Sequence, residues 1–283
     1  MNHQINYFKI MEKNELEMLE SKAVEIRQLT IDAIGFLGAG HIGGAMSVVD
    51  VLTLLYYKYM DVSPGDPKKK DRDKLVLSKG HAGPALYSVL ADKGFFPKEW
   101  LHTLNKCGTN LPSHCDMNRT PGIDMTTGSL GQGISAAVGI ALANRLNGID
   151  KKIYLIIGDG ESQEGQVWEG AMAAAHFKLN NLIAFTDCNK MQIDGYTHDI
   201  MNVEDLTSKW LAFGWFVQRC NGHDLLDMEV AIDRALQQKE RPSMIVLDTI
   251  KGKGADFAER RLDCHSMTFD YATALAACEK LNR

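Results

Sequence analysis

The sequence predicts a doubly wound α/β fold, a mostly parallel sheet with helices on both faces. Short apolar runs without alternation, such as Ile153 to Ile157 and Leu182 to Thr186, read as strands buried on both faces. The segments between such runs are long enough for crossover helices, which implies parallel neighbours joined by right-handed connections. The 283 residues, 45% of them apolar, suffice for one large core. No internal repeat, low-complexity tract or Pro/Ser-rich linker divides the chain.

From Glu15 to about Leu37, the residues Ile26, Leu29, Ala33 and Phe36 recur at three- and four-residue steps and mark an amphipathic helix. A second helix, Ser47 to Tyr59, aligns Val48, Leu52, Leu55 and Tyr59 on one face, and the glycine-rich turn GAGHIGGA separates the two. Lys74 to Ser78 reads as a strand that ends in Lys79-Gly80-His81-Ala82-Gly83 and runs into a helix over Pro84 to Ala91. A small-residue helix, ISAAVGIALANRL, follows the loop Thr126 to Gly133. The strand Ile153 to Ile157, the helix Gln166 to Lys178 and the strand Leu182 to Thr186 come next, then a helix near Asp227 to Gln238 and the strand Met244 to Thr249. All of 1–283 is read as one domain, with 1–14 as an N-terminal extension.

The net charge of -5 argues against a surface that neutralises many phosphates, so no nucleic-acid partner is expected. The run Lys68-Lys69-Lys70 has Asp66, Asp71 and Asp73 beside it and reads as a solvated loop. No stretch approaches the roughly 20 apolar residues of a membrane span, and MNHQINYFKIMEKNE lacks a signal peptide's apolar segment. The expectation is a cytoplasmic protein with no membrane partner. The six cysteines form no CxxC pair and are expected to stay reduced. A zinc site built from His114-Cys115 and Cys264-His265 is disfavoured, because adjacent ligands would compete for one tetrahedral ion.

In an open parallel sheet, ligands collect outside the carboxyl ends of the strands. Asp159 stands there, between Gly158 and Gly160, whose missing β-carbons leave room for a ligand to approach the backbone. Asn189 stands at the end of the next strand. If the two strands are neighbours, Asp159 and Asn189 meet at one edge, and their hard oxygens suit Mg²⁺ or Ca²⁺, with positions left for phosphate oxygens. The loop containing Gly128, Gly131 and Gly133 has two open readings: an anion site at a helix N-terminus, or close packing of that helix on the sheet. His41, taken alone, reads first as a surface imidazole in a flexible helix connection.

Taken in order, GHIGGAMSVVDVL, LSKGHAGPALYSVL, LPSHCDMNRTPGIDMTTGSLGQGIS, GDGESQEG and DCNKMQIDG resemble the N-terminal diphosphate-binding domain of the transketolase family. GDG followed after about thirty positions by Asn resembles the thiamine diphosphate motif, and the likeness runs over roughly residues 15 to 265. It implies thiamine diphosphate and Mg²⁺ as cofactors, with Ca²⁺ or Mn²⁺ as possible substitutes for the metal. It further implies that Asp159, Asn189 and the carbonyl of Met191 bind the metal. Gly128, Ser129, Leu130, Gly158, Gly160 and Ile193 would adjoin the cofactor, and His81 its diphosphate. His41, His114 and His265 match histidines of the substrate channel, a task suited to a side chain with an unperturbed pKa of about 6.5. Glu164 matches a glutamate in a network linking two cofactor sites across a dimer; it also reads as a first-turn acid stabilised by the helix dipole. Lys251 and Lys253 read either as closing a loop over phosphate or as solvated loop charges.

The sequence departs from the family pattern where Ile42 follows His41 in place of proline, and where Cys264-His265-Ser266 replaces His-Gly. The transfer of a role to His265 is the least direct. Pyrimidine-binding and C-terminal domains do not fit within this length. The expectation is therefore the N-terminal subunit of a split transketolase, paired with a C-terminal chain in an α2β2 heterotetramer. Such an enzyme moves a two-carbon ketol unit from a ketose, phosphorylated in the family's usual substrates, to an aldose. The alternatives weighed are the α subunit of a 2-oxo acid dehydrogenase and a non-catalytic binding or regulatory homologue. A Mg²⁺-dependent phosphohydrolase is disfavoured, since no second carboxylate cluster is present to activate water.

Overall fold

A computed structural model of the chain describes residues 11–193 and 195–282. Its centre is a sheet of five parallel strands: β1 (Lys74–Leu77), β2 (Ile153–Gly158), β3 (Leu182–Cys188), β4 (Phe216–Asn221) and β5 (Ser243–Asp248), in the order β1-β2-β3-β5-β4. The register pairs Gly158 with Asp187 and Cys188 with Asp248, so β2, β3 and β5 end side by side.

Both faces of the sheet are covered, and the side chains of β2 alternate between two cores. Tyr154 and Ile156 join one, Ile153, Leu155 and Ile157 the other. The first core is completed by α1 (Lys13–Leu37), α2 (Gly83–Asp92), α6 (Leu225–Gln237) and α7 (Tyr271–Lys280). The second is completed by α3 (Gln132–Leu146), α4 (Gly165–His176) and α5 (Leu206–Ala212). This continuous burial is why the central strands read as unbroken apolar runs.

From β3 the chain leaves through α5 on the second face, and from β5 it turns towards α7 on the first. Adjacent strands whose exits lie on opposite faces form a switch point, where an open α/β sheet has a crevice at its carboxyl edge. The ends of β2, β3 and β5 flank that crevice.

The helix expected from Glu15 begins at Lys13 and ends at Leu37, where Gly38 takes φ 91° and its N–H closes on the carbonyl of Ile34. Residues 1–10 of the expected extension lie outside the described residues. The helix expected over Ser47 to Tyr59 is an α-helix only over Val49–Leu54, and it continues as a π-helical turn over Leu55–Tyr59. Its predecessor, read as a flexible turn, contains a short helix, Ile42–Met46. Gly43 sits in that helix because a β-carbon there would lie 2.5 Å from the carbonyl oxygen of Cys264. The strand β4 and the helices α5 and α7 were not expected. Among the described residues, no helix is long and apolar enough to cross a membrane.

Candidate functional site

A cavity of about 370 Å³ opens at the carboxyl edge of β2, β3 and β5. On its floor lies the GDG turn. Asp159 follows β2 and caps a 3-10 turn over Gly160–Gln163, with Oδ1 accepting from the Gly160 N–H at 2.8 Å. Its Oδ2 accepts from the N–H of Lys190 at 2.5 Å, and its own N–H donates to the carbonyl of Asp187 at 3.2 Å. The expected meeting of Asp159 with the Asn189 segment therefore occurs through neighbouring parallel strands.

Asp159 is only 2% exposed, and among the described residues no cationic side chain pairs with it. Burial and the carboxylate of Asp187 push its pKa up to about 7. A buried carboxylate lacking a positive partner fits a cation. Beside it, Asn189 accepts the Met191 N–H on Oδ1 at 3.1 Å and donates Nδ2 to Asp187 at 2.9 Å. Among the described residues, no cluster of three His, Cys, Asp or Glu side chains would hold a metal unaided. The donor set is thus one carboxylate, one amide oxygen and backbone carbonyls, hard but sparse. That chemistry suits Mg²⁺ completed by the oxygens of a phosphorylated ligand.

Beneath the floor lies an ion pair that sequence reasoning missed. Asp187 is fully buried and receives the Lys79 ammonium, Ser47 Oγ at 2.7 Å, and the Thr249 hydroxyl. Burial alone would raise this carboxyl's pKa; Lys79 and the hydroxyl donors overcome it and hold the group ionised. A second buried carboxylate, Glu161, ties three segments together. It takes the hydroxyl of Ser78, the N–H of Gly131 at 2.9 Å and the N–H of Gly158 at 3.0 Å. The signals were present: Lys79 adjoins the SKGHAG glycine, and Glu161 follows GDG directly.

The cavity wall is built of imidazoles. The ring of His41 lies 5.4 Å from that of His81, 5.6 Å from His114 and 5.4 Å from His265, and His81 lies 4.9 Å from His265. No hydrogen bond joins any of the four rings to another described residue, so their nitrogens remain available to a ligand. Burial, then the ammonium of Lys79, drives the His81 pKa down to about 2; burial, then Lys251, takes His265 down to about 4. Burial and His114 lower that of His41. His41, His81 and His265 are therefore neutral near pH 7.

Lys251 is not a solvated loop charge. It is 2% exposed, lines the cavity and donates to the carbonyl of Ile193 at 3.3 Å, whereas Lys253 is partly exposed and lies 3.9 Å from Glu259. Ile193 carries a β-branched side chain at φ 41°, a backbone conformation such residues rarely adopt. It lies at the tip of a tight reversal in which Met191 pairs with Tyr196 and Gln192 with Gly195.

The three glycines of the TGSLGQG loop divide between the two readings. At Gly133 a β-carbon would fall 2.7 Å from the Cα of Ser78, so this position serves close packing of α3 on the sheet. Gly131 takes φ 81° and turns the chain into α3. Gly128 faces the cavity, with room for a β-carbon 3.6 Å from His114. Ser129 is exposed and does not line the cavity, although its neighbours Gly128 and Leu130 do. The other candidates all line it: His41, His81, His114, His265, Gly158, Asp159, Gly160, Glu164, Asn189, Met191 and Ile193.

Residues 19–280 match the family profile described as transketolase, thiamine diphosphate binding domain. A protein of Clostridium sp. (strain MSTE9) named 6-deoxy-6-sulfo-D-fructose transketolase subunit is 55% identical over 94% of this chain and 96% of its own length. An apulose-4-phosphate transketolase subunit of Phocaeicola vulgatus is 39% identical over 87% of each chain. Among solved structures, transketolase from Campylobacter jejuni superposes with a TM-score of 0.88 at 31% identity, covering 94% of this chain; the present chain spans 43% of that one.

Proposed function

The chain belongs to the transketolase family, and from that membership we propose that it is the N-terminal subunit of a two-chain transketolase. It is a transferase subunit rather than the α subunit of a 2-oxo acid dehydrogenase. The observation that carries the reading is the cavity, where Asp159, Asn189, His81 and the Gly128 loop meet from four separate motifs. The sulfofructose and apulose-4-phosphate relatives, which align along most of their own length, are themselves named subunits, which supports a second chain. In this reading the chain is one diphosphate-binding domain, and the partner is a C-terminal subunit carrying the pyrimidine-binding domain in an α2β2 assembly. The six free cysteines support a reducing, cytoplasmic setting.

Asp159, Asn189 and the carbonyl of Met191 would hold Mg²⁺, whose charge would offset that of the diphosphate. Gly128, Leu130, Gly158 and Gly160 would adjoin the cofactor, Ile193 would pack on it, and His81 would hydrogen-bond its diphosphate. When bound, thiamine diphosphate supplies the nucleophilic carbon and electron sink that ketol transfer requires. His41, His114 and His265 bind and orient substrate hydroxyls. His41 and His265, uncharged near pH 7, can each accept a proton from an alcohol and return it. Lys251 sets a buried positive charge beside the anionic part of the ligand. Glu164, exposed at the cavity rim, faces a second copy of this chain.

The donor class is a ketose with an anionic terminus, the chemistry shared by the sulfonated and phosphorylated sugars in the relatives' names. The test mixes the chain with a C-terminal transketolase subunit, thiamine diphosphate and Mg²⁺. It compares 6-deoxy-6-sulfofructose with fructose 6-phosphate as donors to an aldose. Ketol transfer from at least one is expected. Decarboxylation of 2-oxo acids without ketol transfer would overturn the proposal.

A further inference from the structure

We propose that Asp187 is a positioning residue whose carboxylate holds the Asn189 amide in the orientation that presents oxygen to the metal. The inference rests on the reading of Asp159 and Asn189 as metal ligands. A primary amide has a donor end and an acceptor end of nearly equal shape, and only the acceptor end ligates a cation. Two contacts decide which end goes where. Nδ2 lies 2.9 Å from Oδ2 of Asp187, where only an N–H end is tolerated. Oδ1 lies 3.1 Å from the N–H of Met191, where only an oxygen accepts. Oδ1 retains a second lone pair for the cation. The preceding N–H, that of Lys190, is bound to Asp159, so both ligands hang from successive amides of one segment.

Asp187 is itself fixed from three directions: Lys79 follows β1, Thr249 follows β5, and Ser47 lies beside the short helix Ile42–Met46. Lys79 matches its charge. Asp187 can therefore orient the amide while Asp159 remains the carboxylate available to the metal.

Mg²⁺ is titrated into the complex of the full chain with a C-terminal transketolase subunit, with thiamine diphosphate as the calorimetric probe. The variants are Asp187→Asn, the swap Asp187→Asn/Asn189→Asp, and Asp159→Ala. Asp187→Asn leaves the buried Lys79 ammonium unpaired, so Lys79→Met/Asp187→Asn is measured beside it to secure a folded comparison. Losing the orienting carboxylate is expected to raise the Mg²⁺ concentration for half-saturation about 10–100-fold, with full cofactor binding regained at high Mg²⁺. The swap is expected to return it towards the original value, because a carboxylate at 189 offers oxygen either way round. An unchanged half-saturation in the folded variants overturns the inference, as does a binding loss that neither Mg²⁺ nor the swap rescues. If Asp159→Ala binds Mg²⁺ and cofactor normally, the metal reading itself fails. If Asp159→Ala loses Mg²⁺ dependence while the Asp187 variants keep it unchanged, the positioning role alone fails.

Discussion

The N–H of Lys190 donates to Oδ2 of Asp159 at 2.5 Å, joining the ends of two neighbouring parallel strands at the floor of the cavity. This contact sets the loop bearing Asn189 and Met191 against the GDG turn. Asp159→Ala and Asn189→Ala should each abolish Mg²⁺-dependent binding of thiamine diphosphate, a loss exceeding the roughly 10–100-fold cost of removing a supporting group. Calorimetry on the two-subunit complex, with and without Mg²⁺, checks this. Full-strength binding in both variants would place the metal elsewhere.

Lys251 and His265 face the same cavity, and the ammonium adds to burial in holding the imidazole neutral. In the free chain His265 should titrate near 4, below the ordinary 6.5. Lys251→Met is expected to move that midpoint upward, with burial still keeping it below 6.5. The ring C–H resonances followed by NMR against pH give the answer. A midpoint unmoved by the substitution would show that the ammonium does not act on the ring.

Gly131 and Gly128 should respond oppositely to alanine. At Gly131 the backbone has φ 81° and the new β-carbon would meet that of Glu164 at 2.8 Å. Gly131→Ala is expected to cost about 1–3 kcal/mol in denaturant unfolding. Gly128→Ala has room and should stay within about 0.5 kcal/mol of the parent, while its methyl projects into the cavity and weakens cofactor binding. Equal effects from the two would contradict the division of labour in the loop.

Away from the cavity, Asp50 is clasped by Arg27 and by Nδ1 of His223 at 2.7 Å. Burial opposes its ionisation, yet Arg27 and His223 prevail and hold its pKa at about 2 rather than 3.8. The folded pKa is depressed, so the stabilisation is complete above about pH 4 and is lost as pH falls from there through about 2. It amounts to about 2 kcal/mol. Asp50→Asn should destabilise the chain by about 3–5 kcal/mol at neutral pH by leaving the Arg27 guanidinium buried and unpaired. The variant's acid unfolding curve should lack this component.

The sheet was legible where strands are buried on both faces, as with Ile153 to Ile157, because a short, unbroken apolar run bounded by polar residues fits a strand covered on both sides and little else. The strand Phe216–Asn221 was not, since it lies at the sheet edge and carries Gln218, Arg219 and Asn221. In the site, Asp159 and Asn189 could be brought together because one crossover joins their strands. Lys79 and Asp187 could not be paired by such reasoning: they meet across a strand that lies between theirs. The glycines of GAGHIGGA suggested a flexible turn, but Ile42–Met46 is a short helix in which Gly43 lies too close to Cys264 for a β-carbon, a tertiary contact that no local pattern announces.

The most direct measurement is ketol transfer to an aldose, with thiamine diphosphate and Mg²⁺ present, by the purified chain alone and by the chain mixed with a C-terminal transketolase subunit. Negligible turnover alone and robust turnover in the mixture, abolished by Asp159→Ala, is the expected result. Robust turnover by the chain alone, or turnover in the mixture that Asp159→Ala leaves intact, would contradict the account.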